Sequence, residues 1–482
     1  MINLRPILLI TGSLLLVIAA SMLIPAIVDI YYGNEDWMAF VAAAFFTCFI
    51  GGVMVFSNQG EVKNFTVKQT FFLTTFSWFA IAIFSTLPFM LSELKMSFTD
   101  SFFESMSGLT TTGSTVMVGL DNAPPGILLW RALLNGIGGV GIIVFALAVL
   151  PMLRIGGMQL FRSESSDKTD KILPRATQIA GVIGYTYVLL VFLCFAAFWW
   201  AGMGPFDAIC HSLATIATGG FSTKDASFGY FNSALLDYIC VVFMLLGSMP
   251  FLLYVQMTQG NFRAFFKDSQ VQWFLLITFF CISAVTCWMV MDQAMPFWEA
   301  LRRVSFNLVS VITTTGFAST DYNQWGSFAV IMFFMCTVMG GCTGSTTGGI
   351  KVFRHQVLFE TAKAQISRLI QPHGIFLPQF NKKPITDAVT NSVMSFFILF
   401  ALSFTVLAVL LSLTGLDFIT SMSSAAQALS NTGPGLGNIV GPAGNFSTLS
   451  DPAKWMLAIG MLIGRLEIFT VLVLFSPYFW RE

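Results

Sequence analysis

Ten long apolar runs divide this chain, near residues 6–28, 38–57, 70–92, 126–153, 179–203, 235–257, 272–294, 328–359, 390–414 and 453–477. A run of about 20 apolar residues is long enough to cross the hydrocarbon of a bilayer as a helix. The composition agrees. The 482 residues are 56% hydrophobic and only 10% charged, against about 25% charged in a soluble domain. Most of the surface must therefore face lipid or other membrane helices. The first run follows Arg5 and is too long for the apolar core of a signal peptide, so it reads as a retained span.

Four shorter stretches, near 98–112, 206–218, 297–315 and 417–432, are too short or too polar to cross. Each ends in a similar turn: Thr111-Thr112-Gly113, Ala217-Thr218-Gly219, Thr314-Thr315-Gly316 and Asn431-Thr432-Gly433. The turns recur at roughly 100-residue intervals, which is internal repetition of a whole structural unit. They read as re-entrant helices, each ending at membrane depth. The expected fold is an all-α polytopic membrane protein with ten transmembrane helices. Residues 1–69 hold two extra N-terminal helices. Four span–re-entrant-loop–span repeats, 70–178, 179–271, 272–389 and 390–482, surround one pore.

The turns suit cation chemistry. Carbonyls that all point at one axis need left-handed or extended backbone, which Gly adopts without a Cβ clash. Thr adds a hydroxyl oxygen. A ring of such oxygens replaces the water shell of a cation. The short helices aim their negative carbonyl ends at the same place. Asp100, Asp207, Glu299 and Asp417 stand at the outer starts of those helices, where they suit both the helix N-terminus and a cation-attracting mouth.

A second feature interrupts the 328–359 run. Gly340, Gly341, Cys342, Thr343, Gly344, Ser345, Thr346, Thr347, Gly348 and Gly349 place five glycines in ten residues, enough to break a helix. The other inner spans carry no such run. An asymmetric, flexible break beneath a filter reads as a gate, with Lys351 at the inner end of the pore. Arg465 lies in the last apolar run, where a charge costs about 2.5–3.5 kcal/mol on insertion scales. It should face the bundle interior or the pore. Glu467, two residues on, faces elsewhere on a helix and is a poor partner for it.

Charge placement orients the chain. Of the 24 Lys and Arg, sixteen fall in one set of loops and six in the other, with Lys351 and Arg465 inside spans. The positive-inside rule then puts both termini in the cytoplasm and the four turns on the outer side. No cytoplasmic loop is long enough for a folded domain. The formal net charge is zero, and nothing points to nucleic acid as a partner. The eight cysteines include no CxxC pair and sit mostly in apolar runs, as small hydrophobes. Gly136 to Gly141 satisfies GxGxxG literally but lies in a span with no βαβ context, so helix packing is the expected use. The three histidines are scattered, and His211 reads as a satisfied polar residue. No nucleophile–base or metal-ligand spacing emerges, so the chain is not expected to be an enzyme.

At these turns the chain resembles the Trk/Ktr/HKT potassium transporters. The resemblance rests on Thr110-Thr111-Thr112-Gly113-Ser114, Ala217-Thr218-Gly219-Gly220-Phe221-Ser222, Thr313-Thr314-Thr315-Gly316-Phe317, Asn431-Thr432-Gly433-Pro434-Gly435, the 340–349 break and Arg465. It implies potassium uptake through a bacterial inner membrane, with potassium as the transported ion and the four turns as its filter. It implies a homodimer opened by a cytosolic nucleotide-binding regulator of the TrkA type. It also implies that 340–349 is the intramembrane gate and that Arg465 lines the path. Arg302 and Arg303 match no family role. A symporter coupling potassium to protons or sodium is the alternative. It is weakened by the lack of an obvious intramembrane carboxylate relay.

Overall fold

The computed structural model describes residues 3–60, 66–148, 176–381 and 383–481. Seven described helices are straight, long and apolar enough to cross a membrane, or nine if two bent pairs each count once. In chain order, α1 (Arg5–Tyr32), α2 (Trp37–Ser57) and α3 (Val67–Phe84) lead into the short α4 (Phe98–Leu109) and the long α5 (Pro125–Ala148). Next come α6 (Ala176–Trp200), α7 (Pro205–Ile216), α8 (Ala234–Gly247) and α9 (Phe251–Thr258). The third stretch holds α10 (Ser269–Asp292), α11 (Phe297–Ile312), α12 (Ser327–Val338) and α13 (Val352–Ile370). The last holds α14 (Asp387–Ser412), α15 (Phe418–Ser430), α16 (Asp451–Arg465) and α17 (Ile468–Leu472).

Local chemistry sets several starts. Thr66 caps α3 through a capping box with Gln69: Thr66 Oγ1 accepts from Gln69 N at 3.2 Å, and Gln69 Oε1 accepts from Thr66 N at 2.9 Å. Ser97 caps α4 and Asp417 caps α15, each accepting from the backbone N–H three residues on. Proline at the first turn opens α7 and α16, where a missing N–H costs nothing.

Burial sorts the helices into layers. The most apolar stretches of the straight spans other than α5 are only 28–39% buried, against 72% for α5. Large apolar side chains such as Phe45, Phe56, Phe279 and Ile398 point outward, as a lipid-facing surface requires and an aqueous one does not. The short helices α4, α7, α11 and α15 are mostly buried, above all toward their C-terminal ends, despite their polar content. Polar residues line the centre and apolar residues the periphery.

The inner helices depart from the sequence expectation in one respect. The glycine run was expected to make the third inner span the exceptional one. Two other inner helices are also broken: α8 and α9 meet at 92°, and α16 bends by 113° into the segment from Ile468. Arg465 therefore ends a helix rather than sitting within one, and Glu467 at the bend has φ 64°. Among the described residues, the inner helix α5 runs unbroken.

Candidate functional site: a ring of four turns above a buried loop

The four short helices end in the same way. Thr111, Thr218, Thr314 and Asn431 all take left-handed backbone, with φ of 51°, 50°, 55° and 53°. The next N–H closes back on the helix in each case. Thr112 N donates to Ser107 O, Gly219 N to Ala214 O and Thr315 N to Ser310 O at 2.8 Å, and Thr432 N donates to Gln427 O at 3.0 Å. This is a helix-capping geometry that normally recruits Gly. Holding a side chain there costs of order 1–3 kcal/mol each, and such strain clusters at functional sites.

The shared geometry corrects the register read from the sequence. In the second segment the left-handed residue is Thr218, so Ala217 matches Thr110 and Thr313, and the glycine two residues on is Gly220. Gly113, Gly220 and Gly316 have φ of 86°, 69° and 89°. Gly219 matches Thr112 and Thr315 instead. Asn431, Thr432 and Gly433 keep the expected register, but Gly433 does not share the positive φ.

These glycines close the four segments into a ring, backbone on backbone. A Cβ on Gly113 would lie 2.4 Å from Gly219 O, one on Gly220 2.0 Å from Thr315 O, one on Gly316 2.7 Å from Gly433 N, and one on Gly433 3.2 Å from Thr112 O. Glycines of three inner helices seat the ends of the short helices. A Cβ on Gly138, Gly247 or Gly464 would lie 1.9, 3.0 or 2.2 Å from the carbonyl oxygens of Leu109, Ile216 and Leu429. Gly138 belongs to the literal GxGxxG string, whose use in the fold is this close packing.

Buried polar groups behind the ring fix the chain as it leaves. Glu104, His211 and Asn307 each stand six residues before Thr110, Ala217 and Thr313, and all three are fully buried. Glu104 Oε2 accepts from Val116 N at 2.9 Å, His211 Nε2 meets Ser222 Oγ at 3.0 Å, and Asn307 Oδ1 accepts from Ser319 N at 3.0 Å. In the fourth segment Ser423 Oγ accepts from Leu436 N at 2.9 Å. Glu104 also pairs with Arg131 at 2.7 Å, and Arg131 Nη1 donates to Ser222 O at 2.7 Å. That pair ties the first and second segments together. Sequence reading passed over Glu104 and treated Arg131 only as a topological charge. The signal was present: an acid at the offset that His211 and Asn307 occupy in their own segments.

The outer acids are less exposed as charges than the sequence suggested. Asp100 pairs with Lys454 at 2.6 Å and Glu299 with Arg303 at 2.6 Å. Asp207 Oδ1 accepts from Thr223 Oγ1 at 2.6 Å. Asp417 serves as a cap, and hydrogen bonding by Thr420 holds its carboxyl below the usual carboxylate range. Arg302 also has a partner, Asp237 at 2.7 Å.

Below the ring lies the glycine-rich loop. Helix α12 stops at Val338, and the chain returns beside itself: Ile350 N donates to Val338 O and Gly340 N to Ile350 O, both at 3.0 Å. Residues 340–348 are all buried. The loop is densely bonded rather than loose. Cys342 N donates to Ser248 O at 3.0 Å, and Phe251 N donates to Gly344 O at 2.9 Å, using the break between α8 and α9. Ser345 Oγ donates to Cys342 O at 2.6 Å, and Thr347 Oγ1 accepts from Gly341 N at 3.1 Å. Thr343 N donates to Gln270 Oε1 at 3.0 Å. Two loop residues reach the ring itself: Thr346 Oγ1 lies 3.2 Å from Thr218 Oγ1, and Gly348 N donates to Thr314 Oγ1 at 2.8 Å. A Cβ on Gly348 would lie 2.2 Å from Ser430 O, so its glycine is required by contact with the fourth segment.

Arg465 reaches the loop from α16. Its Nη1 donates to Thr346 O at 2.9 Å, while Nε and Nη2 are buried without a hydrogen-bond partner. Lys351 Nζ donates to Thr347 O and Thr347 Oγ1. Glu467 pairs with Arg354 at 2.7 Å, and the Arg354 guanidinium lies 3.8 Å from the centre of the Phe396 ring. A narrow cavity under the loop is lined by Thr343, Thr347, Lys351, Phe396, Arg465 and Glu467. Among the described residues, no group of three or more His, Cys, Asp or Glu could hold a metal ion.

The chain is similar to proteins already characterised. The family model for TrkH, described as a cation transport protein, matches residues 36–481. The Trk system potassium uptake protein TrkI of Halomonas elongata is 44% identical over 99% of this chain and 97% of its own. The Trk system potassium uptake protein TrkH of Escherichia coli K12 is 38% identical over 99% of both chains. The crystal structure of the potassium transporter TrkH from Vibrio parahaemolyticus superposes with a TM-score of 0.92, covers all of both chains and shares 36% identity.

Proposed function

Since the chain belongs to the TrkH family of cation transport proteins, we propose that it is a multi-pass bacterial inner-membrane protein that takes up potassium through a gated, channel-like pore. Four segments supply the filter, with their left-handed positions at Thr111, Thr218, Thr314 and Asn431. Ten crossings, counting α8–α9, α12–α13 and α16–α17 as broken spans, put both termini in the cytoplasm and the ring on the outer side. The reading rests on one observation above the others: four buried caps of one geometry meet backbone to backbone. Such a ring offers fixed carbonyl dipoles in place of water, at little reorganisation cost.

Only the glycine position is common to all four segments, and the residues after it are Ser114, Phe221, Phe317 and Pro434. A filter of unlike segments holds fewer well-formed sites than one built from identical strands. It should discriminate potassium from sodium, but less sharply.

The corrected register makes a sharp test. Gly220→Ala forces a left-handed alanine and a Cβ against Thr315 O at 2.0 Å. Gly219→Ala keeps ordinary backbone, and its nearest contact is the buried Asn135 side chain, at 2.5 Å, so the displacement falls on a side chain and not on the ring backbone. We expect Gly220→Ala to lose most rubidium uptake or most preference for potassium over sodium, and Gly219→Ala to lose much less. Equal effects would contradict the register, and no effect from either would contradict the filter.

The loop 340–349 acts as the gate and Arg465 as an added electrostatic barrier. With its two unpartnered nitrogens, the guanidinium presents positive charge to the cavity beneath the loop. A symporter coupled to protons needs a titratable relay. The buried carboxylates next to this path, Glu104 and Glu467, are each held by an arginine, which favours the channel-like reading. Uptake measured with and without an imposed proton gradient separates the two.

By family resemblance the working unit is a homodimer, opened by a TrkA-like cytosolic regulator. Arg154, Arg162, Lys168, Lys171 and Arg175 are candidates to dock an acidic face of that regulator; they lie outside the described residues. Reversing these five charges should weaken pull-down of the regulator while membrane insertion stays intact. Unaltered pull-down would leave them a purely topological role.

A further inference from the structure

The threonine side chains at the left-handed positions bear on how the loop and the ring communicate. In the first two segments the methyl group packs on an inner-helix glycine: a Cβ on Gly138 would lie 3.1 Å from Thr111 Cγ2, and one on Gly247 3.2 Å from Thr218 Cγ2. That placement turns the hydroxyl away from the inner helix. For Thr218 the hydroxyl donates to Ala217 O at 2.8 Å and also meets Thr346 Oγ1 at 3.2 Å, and Thr346 Oγ1 donates onward to Ile216 O and Gly247 O, both at 2.9 Å. For Thr314 the hydroxyl accepts from Gly348 N at 2.8 Å. Thr111 Oγ1 is fully buried and has no hydrogen-bond partner. The fourth segment differs. Asn431 Nδ2 donates to Met461 O at 2.8 Å and to Thr112 Oγ1 at 3.1 Å, so its amide nitrogen is committed to the inner helix and the neighbouring segment, while its Oδ1, beside Gly464 of the inner helix, is buried without a partner.

Three hydroxyls thus stand at equivalent places on the cytoplasmic side of the ring. The loop occupies two of them and leaves the third unsatisfied. A buried hydroxyl without a partner is costly, and a partly dehydrated cation is one group that would satisfy it. The loop N–H of Gly348 already takes a lone pair of Thr314, and Thr346 fills the space against Thr218.

We infer that the loop and a potassium ion compete for the hydroxyls of Thr218 and Thr314, and that an inner cation site completed by Thr111 forms only when the loop withdraws. This rests on the proposed filter and gate and adds a coupling between them. Linkage makes the coupling reciprocal: if withdrawal of the loop strengthens ion binding, ion binding favours withdrawal by the same factor. Potassium would then help open its own gate, and the regulator would act on an equilibrium already biased by the ion.

Cys342, a buried free cysteine inside the loop, is a native reporter. The test uses the full-length protein in detergent, without the regulator. A maleimide is added in potassium or in N-methylglucamine at equal ionic strength. The rate at Cys342 is read by site-resolved mass spectrometry and normalised to folded protein. Potassium should raise that rate about fivefold or more, the lower end of typical coupling. Thr111→Val should abolish the potassium response, and Thr111→Ser should keep it. Thr346→Val, which removes the hydroxyl contact with Thr218 and the bonds to Ile216 O and Gly247 O, should raise the rate in N-methylglucamine and shrink the potassium response. Equal rates in the two cations for the unmodified protein would overturn the inference. So would a full potassium response in Thr111→Val, or rates in Thr346→Val unchanged from the parent. If Gly220→Ala loses cation preference as expected while Cys342 shows no potassium response, the filter stands and this coupling falls.

Discussion

Deleting residues 341–348 is expected to raise rubidium flux without the regulator at least about tenfold, a change equivalent to about 1.4 kcal/mol. The loop is held by hydrogen bonds to Ser248, Phe251, Gln270, Thr314 and Ile216, each contributing about 1 kcal/mol net. Removing it takes away the proposed obstruction together with those bonds. The neck between Met339 and Ile350 leaves a short connection from α12 to α13. Arg465→Ala should raise flux by a smaller factor, because it deletes a charge and one bond to Thr346 O but leaves the loop in place. Flux into liposomes, normalised to folded protein, measures both. A fall in flux for both variants would make the loop a structural kink and Arg465 a folding element.

The second large effect concerns the ion pair behind the ring. Arg131→Met alone, or Glu104→Gln alone, should destabilise the protein by about 3–5 kcal/mol, the usual cost of leaving one member of a buried pair uncompensated. Glu104 is fully buried and Arg131 nearly so. Neither charge has water to retreat to. The double variant should recover much of the loss, since removing both charges is often close to neutral. The thermal unfolding midpoint and folded yield in detergent report this directly. If each single variant were as stable as the parent, the pair would be an adventitious contact and not a clamp between segments. The clamp also predicts a functional sign. The double variant, folded but without the tie from Arg131 to Ser222 O, should prefer potassium over sodium less than the parent.

Much of this was legible in the sequence because the relevant signals are local. Apolar length marked the seven straight spans, and the Thr-Gly turns marked where four short helices end. The observed helices Phe98–Leu109, Pro205–Ile216, Phe297–Ile312 and Phe418–Ser430 stop within a few residues of the expected places. The register of the second turn was not legible. Gly219 and Gly220 are adjacent, and only the hydrogen bond from Gly219 N to Ala214 O decides which one matches Gly113. Two breaks were missed: the one at Ser248–Pro250 carries a local signal in Pro250, which interrupts a helix, whereas the one at Leu466–Glu467 carries none. Neither carries a glycine run, and both are stabilised by contacts across the fold. One of these is the loop itself, bonded to Ser248 and Phe251. The partners of Arg302, Glu467 and Asp100 lie 65, 113 and 354 residues away in the chain, distances at which a sequence gives no pairing. The glycine run was read correctly as a break but not as a packed one. Gly340 and Gly348 are there because other backbone lies where a Cβ would go.

We propose that four unlike turns form one potassium-conducting ring closed from below by the loop. Rubidium uptake into liposomes by the 341–348 deletion, with potassium or sodium as competitor and no proton gradient, tests it most directly. Potassium should suppress this uptake at clearly lower concentration than sodium does, and Gly220→Ala in the same background should sharply reduce the uptake or strip it of this preference. Uptake that requires an imposed proton gradient, or that both cations suppress alike, would contradict it.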